Sequence, residues 1–333
     1  MCLYPKLILN KRYLPTKKNN YCPPELKDLR LKYVTCACGE CLECRKQKAR
    51  AWQVRITEET KTNPNGVFPT LTIDDNSYKK LKKICKEKGI KKPNDTDIAT
   101  IAIRRFMERI RKHLKHSLKH WFITELGQNK TERLHLHGVL WGIEAYEMCE
   151  KYWKYGHVFI GTYVNQKTAA YITKYMTKED IKHPNFVPKV LCSPGIGKGY
   201  AERTGKRANK FQGKETNETY RLPNGYKLNL PIYYRNVLFS EEEREQLFLQ
   251  KIEKGDIWIM GCKVNRRDEK AYMNILTYHQ ELNEKITKRG EKDYELKKQL
   301  NRLRKQERYR SQCRSRNLKI PTNHTFRKST QLT

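Results

Sequence analysis

Two histidines one residue apart, His135 and His137, carry the strongest chemical signal in this chain. In an extended strand the side chains alternate between faces. The two imidazoles therefore share one face, which Val139 continues, while Leu134, Leu136 and Gly138 share the other. At about 7 Å apart along a strand, both can reach one divalent cation. The segment 121–126 can pair with this strand through the polar loop 127–133, which brings Glu125 alongside. Two neutral imidazoles, one carboxylate and open coordination positions suit Mg²⁺ or Mn²⁺ acting as a Lewis acid. The pair would sit equally well on the polar face of an edge strand, so the histidines alone do not establish a metal site.

A second constellation lies downstream. Residues 165–178 read as a helix opened by Asn165 as its cap. Tyr171 and Tyr175 are one turn apart and share a face, with Ile172 and Met176 as the neighbouring apolar stripe. A tyrosine hydroxyl is a poor nucleophile at its free pKa near 10. A metal-polarised phosphate and a nearby lysine, Lys174, would make it competent, and Lys178 adds further positive charge. In a chain with 20 tyrosines, two at the edge of a core are the plainer alternative.

The elements that must position these groups follow from periodicity. A strand over 67–73 leads to helices over 77–88 and from about 95 to 117. In the second helix Ile98, Ile101, Ala102, Phe106, Ile110 and Leu114 recur at helical spacing. The strand pair 121–126 and 134–142, a short helix over 145–154, a strand near 157–161 and the tyrosine helix complete the series. This order predicts an α+β fold, a central antiparallel sheet with helices on one face. Asp74 and Asp75 end the first strand and either join the metal site or cap the next helix.

Composition narrows the partner. The chain has 333 residues and a formal net charge of +34, a field that attracts polyanions and makes nucleic acid the default. No 18-residue apolar run or signal peptide appears, which argues against membrane and for a cytoplasmic protein. A basic helix from Cys44 to about Thr60 offers Arg45, Lys48 and Arg55 to phosphates. Eleven cysteines without an export signal suggest reduced thiols, and Cys36, Cys38, Cys41 and Cys44 are close enough in sequence to hold structural Zn²⁺. An iron–sulfur run is less apt, because Lys48 stands where a fourth cysteine would be expected. A tight Gly39 turn with buried thiols is the plain alternative, and Cys2 and the remaining cysteines read as packing residues. The glycine-rich stretch 193–199 does not fit a phosphate-binding loop, so no ATP-driven motor is visible. It remains a candidate contact to the DNA backbone. Ser240 and Glu243 form a capping box for a helix to about Lys254. Beyond about 265 the chain is charged and helix-prone, ending in a basic arm that carries Arg302, Arg304, Lys305, Arg308, Arg310, Arg314 and Arg316. The organisation expected is a Cys-rich basic segment over 1–60, a domain carrying the chemistry over 61–240 and a helical basic region over 241–333.

Glu125, His135-x-His137 and Tyr171-x-x-Lys174-Tyr175 together resemble the HUH endonucleases that start rolling-circle replication. More narrowly, the chain is similar to the replication initiation proteins of gokushoviruses and related microviruses, phages with circular single-stranded DNA. The similarity extends through Cys38-Gly39-Glu40-Cys41-Leu42-Glu43-Cys44-Arg45, Trp52, Arg55, Thr70-Leu71-Thr72-Ile73-Asp74-Asp75, Glu125-Leu126-Gly127, Pro194-Gly195-Ile196-Gly197 and Pro231-Ile232-Tyr233-Tyr234. Leu136 between the histidines and Leu134 before them depart from the bulky residue and the proline common there, but neither alters a metal-facing position.

The resemblance implies an RRM- or ferredoxin-like core in which the 67–73 strand, with Thr70 and Thr72, lies beside DNA. It implies a nick in a single-stranded viral origin and a 5′-phosphotyrosine link. The 3′-OH released would prime a host polymerase beside a host helicase in a bacterial cytoplasm, and a second tyrosine would serve rejoining. The classes that compete are a relaxase- or transposase-type nuclease of a mobile element, a non-catalytic basic DNA-binding protein, and an RNA-binding module. The last lacks an aromatic strand motif.

Overall fold

The computed structural model describes residues 1–127, 131–161, 163–178, 180, 182–183 and 186–315; Arg316 of the basic arm lies outside them. In chain order the elements that build the site are β1 (Lys6–Leu9), β2 (Tyr33–Cys36), α1 (Leu42–Thr62), β3 (Gly66–Thr72), α2 (Asp75–Glu87), α3 (Asp95–Leu114), β4 (Lys119–Leu126), β5 (Leu134–Trp141), α4 (Ala145–Tyr152), β6 (Val158–Gly161), α5 (Gln166–Lys174) and β7 (Val190–Cys192). Five of these strands form one sheet in the order β6-β3-β5-β4-β7, every neighbouring pair antiparallel. The α+β class read from the sequence is the observed one, and β5 with its histidines occupies the sheet centre.

Alternation along these strands sorts the core into two layers. Leu71, Phe122, Leu126, Leu134, Leu136 and Leu140 point to one face, where they pack on Ile98, Phe106, Ile110, Leu81 and Met148 from α2, α3 and α4. Trp121, Ile123, Val139 and Trp141 point to the other, where Ala49 and Ile56 of α1 and Ala169 and Ile172 of α5 cover them. The expectation of helices on one face therefore needs correction, because α1 and α5 lie on the second. The reason is in the strands themselves. Near their ends remote from the histidines, β4 and β5 are apolar on both faces, and such strands must be covered on both. Only the stretch bearing Thr70, Thr72, Glu125, His135 and His137 is polar on the second face, and it is there that α5 leaves room.

Gly138 marks where β4 and β5 approach most closely. A Cβ at this position would collide with the Trp121 carbonyl oxygen and the Phe122 ring. Asp74 is a helix cap, its Oδ1 accepting the Ser77 N–H at 2.7 Å, and Asp75 pairs with Arg133 at 3.0 Å.

The rest of the chain braces α1. Tyr200, Tyr220, Tyr234 and Leu247 cluster around Val54. The 193–199 loop is anchored rather than offered to phosphate: the buried Gly197 N–H donates to Glu59 Oε2 at 2.7 Å, and its carbonyl accepts the Tyr234 hydroxyl at 2.8 Å. A hairpin (Asp256–Ile259 with Cys262–Asn265) and two long helices, Glu269–Thr287 and Glu291–Ser315, follow. They enclose Cys2, Leu3, Tyr4, Cys41 and Cys44 through Ile259, Val264, Leu276 and Tyr294. Among the described residues no helix is long and apolar enough to cross a membrane.

Candidate active site

The register of β3 and β4 against β5 assembles the polar stretch. Thr70 lies opposite His137 and Thr72 opposite His135 on one side, and Glu125 lies opposite His135 on the other. Residues directly opposite in antiparallel strands project to the same face. Each threonine hydroxyl consequently reaches the Nδ1 of its histidine, Thr70 to His137 and Thr72 to His135, both at 3.0 Å. When Nδ1 carries the proton and donates to the threonine oxygen, the Nε2 lone pair is left for a cation, and the hydrogen bond fixes the ring orientation.

Glu125 binds two partners. Its Oε2 lies 2.7 Å from His137 Nε2, and its Oε1 accepts Lys178 Nζ at 2.5 Å. Burial pushes the carboxyl pKa up, but the hydrogen bonds from His137 and Lys178 outweigh this, and the net shift is downward. Glu125 therefore stays an anion. His135 is shifted down by burial and by the neighbouring His137, which keeps it neutral and fit to ligate. Its Nε2 faces Gly127, where a Cβ would stand only 3.1 Å away. The glycine keeps this nitrogen accessible. The donor set, two imidazoles and a carboxylate, fits a divalent cation of the Mg²⁺ or Mn²⁺ type, and His137 and Glu125 are already in contact. His135 stands further off. Among the described residues, the group of three or more metal-type side chains whose donor atoms all lie within 4.8 Å of one another is Cys2, Cys38, Cys41 and Cys44.

Helix α5 brings the tyrosines over this stretch. Asn165 and Thr168 form a reciprocal capping box at its start. The helix is shorter than the 165–178 pattern suggests: it ends at Lys174, with Tyr175 as its C-cap. Ala169, Ile172 and Met176 fasten it to the sheet. The Tyr175 ring stacks on His137, centroids 4.2 Å apart and planes 4° from parallel. Tyr171 is half-exposed, and its hydroxyl lies 3.0 Å from that of Tyr175. Burial, then the Tyr171 hydroxyl and the Glu125 charge, push the Tyr175 phenol well above its usual value. Tyr171, Lys174, Tyr175, Thr177 and Lys178 line a cavity of about 410 Å³. Phe159, opposite Thr70 on the edge strand β6, projects from the same face and is 60% exposed.

Other expected site residues lie elsewhere. Arg45 is 7% exposed in the N-terminal segment and is not presented to a phosphate. Arg55 is sandwiched between Trp52 and Tyr233 at 4.2 and 4.1 Å, and its Nε donates to the Ile196 carbonyl at 3.0 Å. It ties α1 to the 193–199 loop. Lys48 remains exposed on α1. Thr70 and Thr72, expected beside DNA, hold the histidines instead. Cys36 is outside the cysteine cluster; its thiol is near the Ala37 carbonyl and Lys298, and Cys2 takes its place. Sequence reasoning missed the threonine–histidine bonds, the Glu125–Lys178 pair and the part played by Cys2. Alternation along β3 was the available signal for the threonines.

Residues 66–180 match the family model of the replication-associated protein ORF2. No curated protein and no solved structure matches. The matched stretch runs from β3 through Lys178 and so contains the threonines, histidines, glutamate, tyrosines and lysines described above. It supports a replication-associated, DNA-binding protein of the rolling-circle initiator kind.

Proposed function

We propose that this chain initiates rolling-circle replication by nicking single-stranded origin DNA with a tyrosine and later rejoining it. The observation that carries this reading is the stack of Tyr175 on His137, with Tyr171 hydrogen-bonded to Tyr175. It sets two candidate nucleophiles directly over two histidines and a carboxylate. A DNA-binding protein without chemistry would have no use for that arrangement.

In this reading His135, His137 and Glu125 hold a divalent ion, which would supply Lewis-acid polarisation of the scissile phosphate. Thr70 and Thr72 keep the two imidazoles oriented. Tyr171, the more exposed of the pair, attacks first: its oxygen gives up a proton and bonds to phosphorus, the P–O3′ bond breaks, and the 3′ oxygen leaves as a hydroxyl. The product is a 5′-phosphotyrosine. Lys174 and Lys178 stabilise charge developing on the phosphate. Bond energy is conserved in the link, so joining needs no ATP. Tyr175 then cleaves the regenerated origin, and the new 3′-OH attacks the first link to close a circle. Phe159 offers an exposed ring on which a substrate base can stack.

The resemblance to gokushovirus initiators supports a phage setting in a bacterial cytoplasm, with the 3′-OH passed to a host polymerase and unwinding done by a host helicase. A relaxase- or transposase-type nuclease of a mobile element would share the chemistry but not that resemblance. The test is incubation of the purified chain with Mn²⁺ and end-labelled single-stranded origin DNA. Metal-dependent cleavage with label retained on protein supports the proposal. Tight binding without cleavage, in a folded protein with either metal, overturns it in favour of a non-catalytic binder.

A further inference from the structure

We propose that Cys2, Cys38, Cys41 and Cys44 bind one structural Zn²⁺ that fastens the C-terminal helices to the start of α1. The geometry is that of a tetrahedral site. All four sulfurs lie within 4.8 Å of one another, Cys2 to Cys41 at 3.9 Å and Cys38 to Cys44 at 3.8 Å. A tetrahedron with Zn–S bonds of about 2.3 Å has sulfur–sulfur edges of about 3.8 Å. The contacts are too long for disulfides, and a cubane cluster would spread its cysteines further apart. Backbone N–H groups already point at two sulfurs: that of Cys38 donates to Cys2 Sγ at 3.2 Å and that of Cys41 to Cys38 Sγ at 3.3 Å. Such bonds stabilise thiolates. Gly39, with φ +86°, makes the turn that lets Cys38 and Cys41 face the same point.

Charge favours an anionic centre here. Arg45, next to Cys44, and Arg289 are each 7% exposed. The acid near Arg289 is Glu40, at 3.7 Å, which is also paired with Lys297 at 2.9 Å. Four thiolates on one Zn²⁺ carry a net double negative charge, which offsets these cations.

The placement says what the metal does. Cys41 is the N-cap of α1, and the buried Asn283 Oδ1 accepts the Leu42 N–H at 3.0 Å. Tyr294 and Leu276 close over the cysteines from the two C-terminal helices. The farther part of α1 lies against α5 and the sheet through Ala49 and Ile56. One ion thus joins a residue near the start of the chain, the head of the helix behind the catalytic face and the basic C-terminal region. Nicking chemistry does not enter this inference, and either can fail without the other.

The test is metal analysis of the full chain purified under reducing conditions, with X-ray absorption at the zinc edge. The result expected is one zinc per chain with four sulfur neighbours at about 2.3 Å. Cys36→Ser should keep the full complement, and Cys2→Ser should lose most of it. A folded protein that carries no zinc and takes up none on titration with Zn²⁺ overturns the proposal. So does an iron–sulfur cluster, a shell with nitrogen or oxygen neighbours, or zinc lost in Cys36→Ser and kept in Cys2→Ser. Because the wild-type measurement stands alone, misfolding of a variant does not decide the matter.

Discussion

The Tyr175 ring lies flat on the His137 imidazole, and its hydroxyl meets that of Tyr171 at 3.0 Å. The two tyrosines are therefore not equivalent. Tyr175 is pinned and its phenol pKa is raised by burial, whereas Tyr171 is half-exposed beside Lys174. Tyr171→Phe should abolish the first covalent adduct, a loss of at least about 10³-fold. Tyr175→Phe should slow it far less but block closure of circles. Single-turnover assays with a linear oligonucleotide and with a joining substrate separate the two steps. Equal loss in both assays for both variants would remove the assignment of order.

Thr70 and Thr72 hold the Nδ1 atoms of the histidine pair. Replacing either by valine keeps the strand and removes the hydrogen bond. Loss of a group that orients a metal-ligating histidine typically costs 10–100-fold in affinity or activity. Thr70→Val and Thr72→Val should accordingly shift the Mn²⁺ requirement for cleavage upward by about that factor while leaving DNA binding intact. A metal titration of the cleavage rate reads this directly.

Phe159 projects from the site face of β6 with no cover. Stacking of a base on such a ring is worth about 1–3 kcal/mol. Phe159→Ala should weaken binding of single-stranded DNA by roughly 5- to 150-fold, with unchanged thermal stability and little change in the bound-state cleavage rate. Fluorescence anisotropy with a labelled oligonucleotide measures it.

His120 gives a pH prediction. Burial pushes its pKa down to about 4, against a smaller opposing effect from the Leu118 backbone, and its ring is bonded to the Ser193 hydroxyl. An imidazole held neutral in the fold still gains a proton on unfolding below its ordinary value near 6.5. Its contribution is thus intact above about pH 6.5, is lost as pH falls from there to about 4, and amounts to about 3 kcal/mol at most. His120→Gln keeps a polar partner for Ser193 and should flatten that part of the stability curve. Denaturant melts at several pH values between 4 and 7 check it.

Much of the site was legible in sequence because strand alternation is a local property. The shared face of His135 and His137 and the nearness of Glu125 follow from a period of two and a short loop. The threonine–histidine bonds were not legible, since they depend on the register of β3 against β5, which joins residues more than sixty positions apart. The Cys2 position was lost for the same reason: its partners are supplied by tertiary packing. Arg45 and Arg55 misled because a positive charge in a basic helix looks like a phosphate contact, and only burial reveals that one is enclosed and the other sandwiched between rings. The second helical layer was hidden as well, although Val139 and Trp141 facing opposite to Leu136 and Leu140 carried the sign of it. Helix α5 reads too long in sequence because Tyr175 and Met176 keep the helical spacing beyond the last true turn.

The central claim is that a tyrosine on α5 becomes covalently joined to DNA. The most direct measurement is to trap the adduct formed with Mn²⁺ and a short single-stranded origin oligonucleotide, digest it with trypsin and locate the nucleotide by mass spectrometry. Cleavage after Lys167, Lys174 and Lys178 divides the two tyrosines between separate peptides, 168–174 for Tyr171 and 175–178 for Tyr175. A 5′-phosphonucleotide on 168–174 in the first turnover is the result expected. A nucleotide on any residue outside these two peptides, or no adduct with folded, metal-supplied protein, would contradict it.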